Sequence, residues 1–168
     1  RDSDRYLVQV GQGGIGLPDE SYYREDKHAE VRDSYLAYLR RLLTLAERPD
    51  AEATAARVLA LETRLAEGHW ERAATRDVIK TYNLRTLAEL EATVPSFDFT
   101  AWITALGGDR ATIAETVVRQ PSFFEHLEVV LGEADIEDWK AFLTVRALRT
   151  AAAYLSGDFV ETNFDFYG

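Results

Sequence analysis

The sequence contains no cysteine and no methionine, and it has only three lysines beside 16 arginines. The lack of cysteine excludes disulfides, thiolate metal ligands and cysteine nucleophiles. It slightly favours the reducing cytoplasm, although many exported bacterial proteins also lack cysteine, so the compartment stays open. Because not even position 1 is methionine, we expect these 168 residues to be a piece of a longer protein.

Long apolar runs and basic clusters are missing as well. No run approaches the roughly 18 apolar residues that a membrane-spanning helix requires, and no signal-peptide pattern opens the chain. The net charge of −10 argues against a nucleic-acid surface, because phosphate binding depends on clustered lysine and arginine. The arginines are instead interspersed with acids along helical faces. We therefore expect no membrane span and no nucleic-acid partner in this chain.

The composition is that of a folded, largely helical domain. Hydrophobic residues make up 46% and charged residues 29%, so a core that buries about two-thirds of the unfolded surface is within reach. Apolar residues recur at helical spacing from Lys27 to Glu47 and again from Asp50 to about Glu67. Only Arg48 and Pro49 separate these segments, so the two helices should lie antiparallel.

The rest of the chain adds shorter elements. Thr86 and Glu89 have the spacing of a capping box that opens a helix. The strand-like run Tyr6–Val10 and the β-branched segment Thr116–Arg119 could pair as a small ribbon. The predicted fold class is mostly α: a multi-helix domain with long antiparallel helices and at most a short two-stranded β ribbon.

The longest helix is predicted to start at Asp135 and to continue until Gly157 breaks it. The aromatic run Phe159–Tyr167 that follows is typical of core or interface. The apolar residues predicted to face inward along the long helix are Ile136, Trp139, Leu143, Leu148, Ala151 and Leu155.

A glycine-rich segment near the N-terminus permits two interpretations. Gly11, Gly13 and Gly16 fit the G-x-G-x-x-G pattern of a dinucleotide loop after a strand. That interpretation requires a second parallel strand bearing an acid about 20 residues on, but the next acid at that distance, Asp33, lies within a predicted helix. We therefore favour a structural turn and expect no nucleotide cofactor.

No catalytic or metal-binding constellation assembles from the sequence. His28, His69 and His126 are far apart, and none belongs to an H-E-x-x-H zinc motif. No serine lies in a G-x-S-x-G turn. We accordingly predict no catalytic, cofactor-binding or metal-binding residue in this chain.

The remaining charged residues have structural interpretations. Glu62 lies among apolar residues, so we expect it to be partly buried and paired with an arginine. Asp135 and Asp138 suit the start of a helix. The densest polar cluster is predicted to form a salt-bridge network rather than a catalytic site. Its members are Arg76, Asp77, Lys80, Tyr82 and Asn83.

Short phrases distributed along nearly the whole chain resemble, in order and spacing, the N-terminal, non-catalytic helical region of neprilysin and endothelin-converting-enzyme-like zinc metallopeptidases. One departure is Phe99, where the family pattern has tryptophan. The phrases are Gly16–Asp19 with Tyr22-Tyr23, Leu61-Glu62 with Leu65-Ala66, Arg76-Asp77 with Lys80 and Tyr82-Asn83, Val94-Pro95 with Phe97-Asp98, Gln120-Pro121, Trp139-Lys140 with Leu143, and Phe164 with Phe166–Gly168.

The resemblance implies that this chain is part of a helical domain, spanning residues 1–168, that covers the active-site chamber of a larger zinc endopeptidase. Its implied partners are the catalytic domain of the same polypeptide and the peptide substrates of that enzyme. The zinc ligands and the general base of the family have no matching positions here. The arginines with which relatives hold the substrate would fall before Arg1. The alternative is a free-standing acidic helical interaction module.

Overall fold

The computed structural model describes residues 5–168, which form two compact units. Within these residues the protein is mostly helical, with eight α-helices and one small three-stranded mixed sheet. None of these helices combines the length and apolar character that a bilayer crossing demands. The first unit, here called the sheet unit, comprises residues 5–14 and 67–133; the second, the helical unit, comprises residues 15–66 and 134–168.

The sheet unit is built around three short strands. These are β1 (Val8–Val10), β2 (Leu84–Thr86) and β3 (Glu115–Val118). The central strand β3 pairs in parallel with β1, where Gln9 lies opposite Val117, and antiparallel with β2. The predicted pairing of the first and third strands is thus confirmed. The strand β2 was missed, because three residues are too few to show an alternating pattern.

Three helices cover this sheet and carry most of its apolar core. They are α4 (Leu87–Thr93), α5 (Phe99–Ala105) and α6 (Pro121–Glu133). The Thr86–Glu89 capping box is confirmed, since the Thr86 hydroxyl accepts from Glu89 N while the Glu89 carboxylate accepts from Thr86 N. The buried apolar side chains of this core are Leu87, Leu90, Val94, Phe99, Ile103, Ile113, Val118, Phe123 and Phe124.

The helical unit contains the two predicted long helices. They are α2 (Ala29–Leu45) and α3 (Ala51–Glu67, whose last residue is counted with the sheet unit). Tyr35 of α2 contacts Glu62, and Arg40 contacts Glu52, so the numbering runs in opposite directions and the helices are antiparallel as expected. The other helices of this unit are α1 (Ser21–Arg24), α7 (Ile136–Ala151) and α8 (Gly157–Tyr167).

The face of α7 differs from the prediction. Ile136, Leu143 and Leu155 are exposed, by 63%, 62% and 42%. The helix buries Ala141, Phe142, Val145 and, in the turn that follows it, Ala152 instead. The apolar residues of this segment fit two adjacent faces of a helix, so their spacing does not determine which face is buried. That depends on the elements that pack against α7. Asp135 caps α7 as expected, since its side chain accepts from Glu137 N.

The aromatic run at the end of the chain is helical. Phe166 of α8 stacks on Tyr38 with ring centroids 4.9 Å apart, and Tyr167 meets the same ring edge-on at 5.4 Å. Phe164, in contrast, is 71% exposed. The segment therefore belongs partly to the core of the helical unit and partly to its surface.

Candidate functional site

The most unusual feature of the helical unit is a carboxylate buried among aromatic rings. Glu62 lies on the inner face of α3 and is completely shielded from solvent. Tyr23 of α1 and Tyr35 of α2 reach it from two neighbouring elements, and both rings are themselves buried. Because a charged group loses its hydration when it is buried, Glu62 must be stabilised by hydrogen bonds from the protein.

Three donors meet the two oxygens of this carboxylate. The Tyr23 hydroxyl donates to Oε2 at 2.7 Å, and the Tyr35 hydroxyl donates to Oε1 at 3.1 Å. The Gly16 amide also donates to Oε2 at 3.2 Å. Since every contact is a donor, the arrangement suits the ionised carboxylate, which only accepts.

Gly16 lies at the centre of the same arrangement. Its amide and that of Leu17 each donate to the Tyr23 hydroxyl at 2.9 Å. On the other side of this peptide, the Gly16 carbonyl accepts from Tyr167 Oη at 3.2 Å and from Arg149 Nη2 at 3.4 Å. A Cβ at this position would overlap the Tyr35 hydroxyl, so no larger residue fits.

Arg149 supplies the nearest positive charge, but it reaches Glu62 indirectly. Its Nη1 donates to the Tyr35 hydroxyl at 3.4 Å, and this hydroxyl in turn donates to the carboxylate. The guanidinium also lies over the Tyr167 ring, 5.1 Å from its centroid. The prediction that Glu62 is paired directly with an arginine is therefore wrong, because two tyrosine hydroxyls occupy the positions that a guanidinium would take. Glu62 is also completely buried, whereas the sequence predicted partial burial.

Burial dominates the electrostatics of this polar cluster, which comprises Gly16, Tyr23, Tyr35, Glu62, Arg149 and Tyr167. Loss of hydration raises the pKa of Glu62 above its ordinary value, while the hydrogen bonds from Tyr23 and Tyr35 act in the opposite direction. Burial, followed by the nearby Glu62 charge, raises the pKa of both Tyr23 and Tyr35, so these hydroxyls remain donors at any physiological pH.

The role available to Glu62 within the polar cluster is structural. Its carboxylate is enclosed and its oxygens are already used by Tyr23, Tyr35 and Gly16, so no substrate atom can approach it. What the cluster does is hold the Gly16–Leu17 turn against α2 and α3. Each of its hydrogen bonds to backbone fixes the path of a segment that has no regular secondary structure of its own.

The preceding glycines belong to the sheet unit and are held by a different set of contacts. The Gln12 amide N–H donates to Gln120 Oε1 at 2.9 Å, and the Gln12 side chain exchanges two hydrogen bonds with the backbone of Trp70. His69 Nε2 lies 3.0 Å from the Gly13 carbonyl. Gly14, with φ of +87°, needs the conformational freedom of glycine. These contacts fit the structural turn favoured from the sequence.

The histidines have aromatic or backbone neighbours. His28 stacks on Tyr22 at 4.0 Å, and His69 meets Phe123 edge-on at 5.0 Å. The His126 ring packs against Gly68, where it leaves no room for a Cβ. Among residues 5–168, no three histidine, aspartate or glutamate side chains are grouped so that they could hold a metal ion. We therefore assign no zinc ligand within these described residues.

The polar segment from Arg76 to Asn83 forms a turn rather than the predicted salt-bridge network. Asp77 Oδ1 accepts from the amides of Ile79 and Lys80, which lowers the pKa of this carboxyl. The Asn83 side chain donates to the carbonyls of Lys80 and Val118. Within the described chain, neither Arg76 nor Lys80 forms an ion pair, and Tyr82 is 42% exposed. Backbone amides are the nearer donors, so they satisfy the carboxylate first.

Sequence reasoning singled out Glu62 but not the side chains that surround it. Tyr23 is part of a family phrase, and Tyr35 contributes only to the apolar periodicity of the segment from Lys27 to Glu47, so neither residue is marked as a partner of Glu62. Arg149 and Tyr167 lie more than 80 residues from Glu62 along the chain. The sequence signal for such a cluster is the position of Glu62 on the apolar face of a helix, because a buried carboxylate requires hydrogen-bond donors from elsewhere in the fold.

Comparison with known proteins identifies the family whose sequence pattern this chain shares. The whole chain, residues 1–168, matches the model of the N-terminal region of peptidase family M13. It is 28% identical to Neprilysin-3 of Drosophila melanogaster, across 95% of this chain and 22% of that protein. It is also 23% identical to Neutral endopeptidase of Lactobacillus helveticus, across 99% of this chain and 26% of the relative.

A solved structure shows the same backbone arrangement. Zinc metalloprotease Zmp1 of Mycobacterium tuberculosis, in complex with an inhibitor, superposes with a TM-score of 0.95 and 41% sequence identity. The match covers 100% of this chain and 26% of the Zmp1 chain. The present sequence thus spans about a quarter of the length of the proteins it resembles.

Proposed function

Because the chain belongs to peptidase family M13, we propose that it is the helical, non-catalytic part of a zinc metalloendopeptidase and that it covers the active-site chamber. The observation that carries this proposal is the match of the whole chain to the N-terminal model of the family. It is supported by the likeness to about a quarter of Zmp1, a zinc metalloprotease. In this role the chain restricts the chamber to peptides and takes no part in bond cleavage.

Two properties of the chain agree with such a role. Glu62, a completely buried carboxylate, has its oxygens occupied by Tyr23, Tyr35 and Gly16, which leaves it no position for substrate. In addition, both units expose large apolar side chains, for which we propose the catalytic domain of the same polypeptide as the partner. Examples are Ile79 and Leu106 in the sheet unit and Leu143 and Tyr154 in the helical unit.

Zinc is proposed for the complete enzyme and not for this part of it. When bound in the catalytic domain, a zinc ion polarises the scissile carbonyl and lowers the pKa of its water. The proposed contribution of the present residues is steric exclusion. Peptide substrates of the complete enzyme are proposed on the same grounds, since relatives of this chain include an enzyme named Neutral endopeptidase.

The experiment compares this chain with the longest natural form of the protein, using a quenched fluorogenic peptide. We expect the longer form to cleave the peptide and a zinc chelator to abolish cleavage, whereas the chain alone leaves the peptide intact. Chelator-sensitive cleavage by the rigorously purified chain would show that it is catalytic. Absence of cleavage by the longer form, tested on a peptide library, would remove the peptidase assignment.

The covering role requires its own measurement. The same cleavable segment is offered to the longer form as a free peptide and as a surface loop of a stable folded protein. Exclusion of folded proteins predicts cleavage of the free peptide only. Equal cleavage rates for both substrates would contradict the steric role while leaving the peptidase assignment intact.

The alternative function, a free-standing acidic interaction module, is not favoured. It treats the family phrases as coincidence, whereas the family model extends over all 168 residues.

A further inference from the structure

A cavity of about 250 Å³ opens between α7 and α8 in the helical unit. Its lining is polar and, unusually for so acidic a protein, contains no aspartate or glutamate from residues 5–168. The residues around it are Arg146, Arg149, Thr150, Asn163 and Tyr167.

Among residues 5–168, no carboxylate contacts either arginine of this cavity directly. Arg146 donates to the Ile15 carbonyl at 3.4 Å and lies over the Phe142 ring. Arg149 donates to the Tyr35 hydroxyl and the Gly16 carbonyl and interacts with the Tyr38 hydroxyl, and its Nε is buried with no partner in the described chain. The chain carries 29 acidic and 19 basic residues, so acids are plentiful elsewhere. Some exposed arginines do form ion pairs: Arg57, for example, lies 2.7 Å from Asp138 Oδ1.

Asn163 adds a further donor. Its Oδ1 accepts from the Tyr38 hydroxyl at 3.0 Å, and this contact orients the amide. The Nδ2 group has no hydrogen-bond partner among residues 5–168 and so keeps its two protons for a ligand. Two guanidinium groups and an amide N–H around one small cavity form a donor set that suits an oxyanion, above all a planar carboxylate.

The surface beside the cavity is apolar. Val160, Phe164 and Tyr167 form an i, i+3, i+4, i+7 pattern together with Asn163, which places all four on neighbouring positions of α8. Their exposed fractions are 42%, 71% and 44%. A ligand whose carboxylate enters the cavity therefore meets aromatic and aliphatic surface with the group attached to it.

We propose that this cavity is a binding site for a carboxylate that carries an adjacent apolar group, and specifically for the C-terminal carboxylate of a peptide ending in an apolar residue. The two arginines bind the carboxylate oxygens, the Asn163 amide donates to one of them, and the last side chain rests on Phe164 and Val160. The site involves no metal and is independent of the proposed steric role, so either can fail without the other.

Calorimetric titration tests the proposal on the longest natural form of the protein, purified in its folded state. The probe is N-acetyl-phenylalanine, and its amide is the matched compound without the charge. We expect saturable binding of the acid, with an affinity at least about tenfold higher than that of the amide. N-acetyl-aspartyl-phenylalanine amide, which presents the carboxylate on a side chain, should bind more weakly than the acid.

Variants locate the binding. Arg146→Gln should weaken binding of the acid about tenfold or more. Asn163→Asp keeps the acceptor for Tyr38 but places a negative charge in the cavity, so it should abolish binding. Arg41→Gln, an exposed arginine of α2 that does not line the cavity, is the control and should change nothing. Thermal unfolding of each variant verifies that the fold is retained.

Several results would overturn the proposal. They are no saturable binding by the unmodified protein, equal binding of acid and amide, and binding that survives Arg146→Gln. Tighter binding of the side-chain carboxylate would overturn the assignment to a C-terminus. Equal binding of inorganic phosphate would reduce the site to a general anion site and contradict the role given to Phe164 and Val160.

Discussion

The cores of the two units are stabilised by different interactions. The sheet unit has a core of nine buried apolar side chains, and the polar groups that its described residues bury are uncharged, such as Thr116 and Gln120. The helical unit surrounds a carboxylate, Glu62, with the hydroxyls of Tyr23 and Tyr35. The first core is stabilised chiefly by apolar area removed from water, which is not directional. The second depends on hydrogen bonds whose partners must all be present, because a half-satisfied polar network costs more than an apolar core.

The largest expected effect comes from removing the buried carboxylate. Glu62→Ala leaves two tyrosine hydroxyls and the Gly16 amide without their acceptor, so we expect the free energy of unfolding to fall by about 3–5 kcal/mol. Urea denaturation measures this loss, and hydrogen exchange should show faster opening of α2 and α3. In the sheet unit, Leu90→Ala should cost a similar amount, about 2–5 kcal/mol, through its cavity alone.

Double variants distinguish the two origins of these losses. Adding Tyr35→Phe to Glu62→Ala should cost clearly less than the sum of the single effects, because the hydroxyl has already lost its acceptor. Fully additive effects would show that the polar cluster is not a coupled network. The difference between the two cores would then be one of composition only.

The pH dependence of stability sharpens the same comparison. Burial raises the pKa of Glu62 in the folded state, so its protonated form is the one that folding favours. Its stabilising contribution is therefore complete below the unfolded pKa, about 4.3, and is lost as pH rises through the higher folded pKa. Relative to Glu62→Gln, the unmodified protein should lose stability with rising pH. A difference that is constant or grows with pH would show that the hydrogen bonds from Tyr23 and Tyr35 outweigh burial.

A smaller effect is expected from one hydroxyl of the polar cluster. Tyr23→Phe removes the acceptor of the Leu17 amide and a donor to Glu62, and should lower the free energy of unfolding by about 2 kcal/mol. Tyr38→Phe is the matched control, since the Tyr38 hydroxyl contacts side chains, namely the half-buried Asn163 and Arg149, and no backbone amide. It should cost about 1 kcal/mol or less. Equal losses would imply that the backbone amides of the turn find water or another acceptor.

The smallest effect should arise at the surface of the sheet unit. Thr86→Ala removes the N-cap of α4 and should cost about 1 kcal/mol. Thr93→Ala, later in the same helix, removes a hydroxyl bonded only to the Glu89 carbonyl and should be close to neutral. A neutral Thr86→Ala would show that β2 and the packing of α4 hold the helix start without its cap.

The elements that were predicted correctly are those whose signals are local. The spacing of Tyr35, Leu39 and Leu42 defines α2, and Asp135 and Thr86 mark helix starts through contacts with residues two or three positions away. Predictions failed where a distant partner decides. The buried face of α7, the strand β2 and the partners of Glu62 and Asp77 all depend on which donor or surface the tertiary fold brings closest.

By itself the sequence determined the helical class, the long antiparallel pair α2 and α3, and the family to which the chain belongs. It did so because apolar periodicity, caps and turns act over a few residues, and because the family phrases keep their order along the chain. Only the tertiary structure decided that Glu62 is bound by Tyr23, Tyr35 and Gly16, and that Arg146 and Arg149 line a cavity without an acid. The arrangement around Glu62 joins residues more than 20 positions apart, and the energies of both arrangements depend on burial and direction. A linear pattern contains neither.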